Sequence, residues 1–169
     1  MAINLAEAVK LKSILTKKIH ELEGQLRSTM FAIVEKGDEP KQPPKPFTAY
    51  EQELVDVRYD ARKLDALIYR ANIDHTVAFQ GESLSIVEAI ELATQLRAEA
   101  QFAKELASNE KEQFYTSAGE TILYRVALFE PTAYESKAIE LEKLAHRLSN
   151  AINAANYAIT LPFDGDKYF

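Results

Sequence analysis

Asn72 with Thr76, and Asn156 with Thr160, are the residues whose type and spacing first suggest a site, because the same pair recurs 84 positions further along the chain. An amide and a hydroxyl one helical turn apart can hold a polar ligand from one side. Two such pairs meeting across a pseudo-twofold would line a polar cleft, with Tyr69, Arg70 and Arg125 as its neighbours. The competing structural reading is that asparagine tolerates the left-handed conformation that ends a helix, and its amide binds nearby backbone. His75 follows Asp74, an arrangement suited to general acid–base work. Its counterpart in the second copy is Ile159, so that role would belong to one copy only. His146 has Glu142 four residues earlier, the spacing of a ligand pair and equally of a helix-surface ion pair.

The catalytic templates fail on spacing. Paired-metal helical bundles need Glu-x-x-His, but the residues three before His20, His75 and His146 are Lys17, Asn72 and Lys143. His20-Glu21 begins like a zinc-protease signature, yet Gly24 stands where the second histidine is required. The run Gly81-Glu82-Ser83-Leu84-Ser85 lacks the last glycine of a nucleophile elbow. The five glycines never fall as Gly-x-Gly, which removes the dinucleotide fingerprint, and no phosphate loop is present. The expectation is no metal, no cofactor and, on balance, no enzyme.

Composition narrows the classes further. With no cysteine in 169 residues, thiolate metal sites, disulfides and a cysteine nucleophile are excluded, and the chain fits a reducing cytoplasm. Apolar runs such as residues 30–34 are far below the ~18 residues that span a bilayer, and residues 1–15 do not read as a signal peptide. The net charge is −6. Residues 1–36 hold six Lys/Arg against four Glu, so the acidity lies in the remainder, and nucleic acid is an unfavoured partner.

The elements that must position these residues are helices. Residues 48–79 and 132–163 share eleven identities in 32 positions, among them Thr48-Ala49-Tyr50-Glu51 and Thr132-Ala133-Tyr134-Glu135. A weaker likeness at an offset of 81 joins residues 4–11 to 85–92. Capping boxes are expected at Asn4/Glu7, Thr48/Glu51, Ser85/Glu88 and Thr132/Glu135. Behind each box, apolar residues step by three and four. They run as Leu5, Ala8, Lys12, Leu15 and onward to Ile33, then from Leu54 to Ala71, from Ile86 to Ala107, and from Tyr134 to Ile159. Lys12 breaks the first seam, either snorkelling to solvent or fixing register.

These patterns predict a mainly α single domain. It is a pseudo-twofold four-helix bundle of two long antiparallel hairpins, over about 4–36, 48–72, 85–113 and 132–157, with an internal duplication of 4–79 and 85–163. Short strands are expected near 76–79, 121–129 and 159–163, pairing into one small sheet at an end of the bundle. Residues 37–46 carry four prolines and read as an extended connector.

The opening Leu5-Ala6-Glu7-Ala8, the break at Glu35-Lys36-Gly37-Asp38-Glu39-Pro40, the Asn72-x-x-x-Thr76 ending, Gly81-x-Ser83-Leu84-x-x-x-Glu88-Ala89-Ile90 and Ala154-Ala155-Asn156-x-x-x-Thr160 together resemble the bacterial septicolysin-like family. The resemblance spans nearly the whole chain and departs from the family in its proline-rich connector. It implies a helical bacterial protein without an established activity, under a name that suggests a cytolysin. The leading expectation is a soluble, cytoplasmic, self-associating structural or interaction protein. The alternatives are a membrane-acting cytolysin, and a small-ligand-binding protein or enzyme using the Asn/Thr cleft.

Overall fold

The computed structural model describes residues 2–168. Its elements run β1 (Ile3–Asn4), α1 (Leu5–Ser28), α2 (Phe47–Asp74), β2 (Thr76–Phe79), β3 (Glu82–Ser85), α3 (Ile86–Ala107), β4 (Glu112–Ala118), β5 (Thr121–Val126), α4 (Pro131–Ala158) and β6 (Thr160–Leu161). The fold is mainly α, with four helices in two packed pairs, α1 with α2 and α3 with α4. The backbone divides into two compact units, one of residues 2–75 and 155–168 and the other of residues 76–154.

In the first unit α1 buries Leu5, Ala8, Leu11, Leu15 and Leu22, and α2 buries Leu54, Val57, Leu64, Ile68 and Ala71. Each fully buried leucine contributes roughly 1.5–3 kcal/mol relative to an exposed one. Leu11, not Lys12, takes the core position. Lys12 stands at the rim, 2.7 Å from Asp65 on the antiparallel α2 and 5.4 Å from the centre of the Tyr69 ring. Pairing with Asp65 raises its ammonium above the ordinary lysine range. Arg58 to Glu23 at 2.6 Å continues the antiparallel ladder.

Helix α1 stops at Ser28, earlier than the expected 36. The Ser28 and Thr29 hydroxyls donate to the Gln25 carbonyl, and the Thr29 amide donates to Gln25 and Leu26. Those local bonds use the acceptors that a further turn would need. Ile33, expected in the seam, is fully exposed in the following coil. Helix α3 likewise ends at Ala107, not near 113, where Ser108 and Asn109 side chains donate to Glu105. Residues 112–118 then form a strand that the periodicity did not announce.

Capping boxes form at Asn4/Glu7 and Ser85/Glu88. The one expected at Thr48/Glu51 does not, because α2 starts a residue earlier behind Pro46, which makes no side-chain cap. Thr132 likewise sits inside α4, and its hydroxyl donates to Glu130 Oε1 at 3.2 Å. Helices α2 and α4 are each 28 residues long and their bounds differ by 84 at both ends.

The expected single sheet is three separate two-stranded antiparallel ladders. β2 pairs β3 with Thr76 opposite Ser85 and Val77 opposite Leu84. β6 pairs β1 with Thr160 opposite Asn4 and Leu161 opposite Ile3. At the sequence offsets of 84 and 81, these are the same register. The third ladder, β4 with β5, is a hairpin turned at Gly119 (φ 64°) and irregular between Phe114 and Thr116.

Candidate functional site

Asn72 lies half-buried in the last turn of α2, which runs two residues past it. It does not adopt the left-handed cap conformation. The cap is His75, extended at φ −106° and ψ 150°, whose amide donates to the Ala71 carbonyl. The His75 ring turns back on that same carbonyl, with Nδ1 at 3.1 Å, so its nitrogen is occupied in closing the helix. Thr76 is exposed opposite Ser85, and Thr160 is exposed opposite Asn4. Asn156 is half-buried in the last turn of α4, and its Oδ1 is enclosed without a hydrogen-bond partner among the described residues. Asn72, Asn156 and Thr160 belong to the first unit, while Thr76 belongs to the second.

The two arginines line different depressions. Arg125, exposed on β5, joins Asn109, Gln113, Leu128 and Phe129 around the base of the β4–β5 hairpin. Arg70 joins a groove of about 570 Å³ on α2, in the range typical of ligand sites. Glu142, expected beside His146, pairs instead with Lys104 of α3. Among the described residues no group of three or more His, Asp or Glu side chains converges on a metal-sized space.

The groove beside Arg70 is a feature that local sequence reading missed. Residues 59, 60, 63, 66, 67 and 70 recur at helical spacing and form one stripe of α2, and the segment Pro162-Phe163-Asp164 forms the opposite wall. The segment is held by Asp60. Its Oδ2 accepts the Tyr168 hydroxyl at 2.6 Å and pairs with the Lys167 ammonium at 2.5 Å. Partial burial pushes the Asp60 carboxyl up, but the two donors outweigh it and leave the group below the ordinary carboxylate range. Lys167 is raised by the same contact. Burial first, and then the bond to Asp60, push the Tyr168 phenol up to about 12. A carboxylate so held is a poor proton acceptor near neutral pH and the phenol is a donor only, which makes this a structural latch beside the groove. Asp60 and Tyr168 are 108 residues apart, and no local pattern links them.

The second feature is the β4–β5 hairpin. Its register places Phe114 opposite Tyr124, Ser117 opposite Ile122 and Glu112 opposite Val126. Alternation therefore puts Phe114, Ile122, Tyr124 and Val126 on one face. They are 61%, 57%, 53% and 50% exposed. The Phe114 and Tyr124 rings meet edge to face at 6.4 Å.

No family model matches the chain, and no curated protein is similar to it. A solved structure is. It is the crystal structure of a functionally unknown conserved protein from Corynebacterium diphtheriae, 22% identical, with 95% of this chain and 99% of that one covered at a TM-score of 0.61. That likeness shows a shared fold with a conserved bacterial protein and assigns no activity. No helix is long and apolar enough to cross a membrane among the described residues.

Proposed function

We propose that the protein is a cytoplasmic, self-associating helical interaction protein whose contact surface is the apolar face of the β4–β5 hairpin. The observation that carries this reading is the row Phe114, Ile122, Tyr124 and Val126, half-exposed or more on a ladder of only two strands. A two-stranded hairpin is marginal alone, and a twin of the same face covers it with matching chemistry. Each half-exposed side chain so covered contributes on the order of 1 kcal/mol. Sedimentation velocity at micromolar concentration should give a dimer or larger species, and Ile122→Lys with Tyr124→Lys should return it to monomer. A wild-type chain that stays strictly monomeric would sink the proposal.

The same reading treats residues 4–79 and 85–163 as two copies of one unit. The equal bounds of α2 and α4 at an offset of 84 support it, as do the matching registers of the β1–β6 and β2–β3 ladders.

The resemblance to the septicolysin-like family supports a second reading, a cytolysin. One apolar face is what a membrane-seated hairpin needs, although strands of seven and six residues fall short of the ~9–11 in a membrane strand. Dye release from liposomes, abolished by Tyr124→Lys, is its expected signature; intact liposomes across acidic and neutral pH count against it.

A further inference from the structure

We infer that the groove between α2 and the C-terminal segment binds an organic dianion with an apolar middle, about 10 Å between its two acid groups. Lys63 and Arg70 stand seven residues apart on one stripe of α2, which separates them by about 10.5 Å along the helix axis. Among the described residues neither has an acidic partner; Lys63 lies over the Tyr59 ring at 5.4 Å. Between them the floor is Ala66 and the half-buried Leu67, and the facing wall is Pro162 and the half-buried Phe163. The groove thus presents a cation at each end and apolar surface in the middle.

Its carboxylates offset only part of that charge. Asp60 is paired with Lys167, which leaves Asp164 as the one lining carboxylate set against Lys63 and Arg70. Counting Lys167, three cations face two carboxylates here, in a chain whose net charge is −6. Charge complementarity therefore selects an anion, and the two-ended placement selects one with acids at both ends. A linear dicarboxylate of medium chain length meets both conditions.

Azelate, a nine-carbon dicarboxylate, is the probe. Isothermal titration should show azelate binding with a Kd of about 1 mM or tighter. Nonanoate, with one acid group, and succinate, with no apolar middle, should each bind at least about tenfold more weakly. Lys63→Gln and Arg70→Gln should each weaken azelate by about tenfold, while Lys137→Gln on α4 leaves it unchanged. All these positions are exposed, so thermal melting of each variant should stay near wild type. Absence of azelate binding at about 5 mM, equal affinity for nonanoate, or azelate binding unchanged in Arg70→Gln would each overturn the inference.

Discussion

Ser85 and Thr48 occupy comparable places in the sequence, each followed three residues later by glutamate, yet only Ser85 caps. The Glu88 amide donates to Ser85 Oγ at 3.3 Å, and the Ser85 amide donates to Glu88 Oε2 at 2.9 Å. Thr48 is already inside its helix. Ser85→Ala is therefore expected to cost about 1 kcal/mol, and Thr48→Ala under about 0.5 kcal/mol, by urea denaturation. Equal losses would mean that Thr48 caps in solution.

Tyr168 offers a second residue-level check. Its phenol should ionise near pH 12 rather than 10. The difference in phenolate absorbance between wild type and Tyr168→Phe isolates that step, and a difference curve centred near 10 would mean the contact with Asp60 is absent. The signs then fix a window. Asp60 has a lowered folded pKa, so its contribution is complete above the unfolded value of about 3.9 and is lost as pH falls through the folded one. Tyr168 and Lys167 have raised values, so theirs is complete below about pH 10 and lost on further alkalinisation. Protease nicking of residues 162–168 should be slowest between about pH 4 and 10.

At the scale of elements, the helices were legible because apolar periodicity and glutamate-backed caps are local signals. The helix ends were less so. Ser28, Thr29, Ser108 and Asn109 end α1 and α3 by binding carbonyls one turn back, and nothing in the apolar pattern distinguishes those residues from ordinary polar surface. The run Ile122 to Val126 was readable as a strand from its β-branched and aromatic content, but its partner Glu112–Ala118 was not, since its first two residues continue the expected helix. The Asn/Thr pairs were legible as a repeat, whereas the Asp60 latch and its groove depend on contacts across the fold. The β2–β3 turn gives an element-level prediction. Gln80 and Gly81 both have positive φ, 50° and 87°, the arrangement of a type I′ turn. Gly81→Ala has open space for its methyl but a strained backbone, and should lower stability by about 1 kcal/mol in chemical denaturation. An unchanged midpoint would show that the turn relaxes elsewhere.

For the whole molecule, the informative comparison is between the β1–β6 and β2–β3 ladders. In one, the chain runs from Phe79 through Gln80-Gly81 into Glu82; in the other, Leu161 and Ile3 lie side by side with no such covalent link. Chain order is therefore interchangeable at these two places. A circular permutant opened between Gln80 and Gly81, with a short glycine-rich bridge connecting the segments that carry Leu161 and Ile3, keeps every ladder described here. It should melt within about 5 °C of the parent, since a loop closed and a loop opened nearly offset. What the sequence writes as first half and second half, the β-ladders treat as positions on a ring.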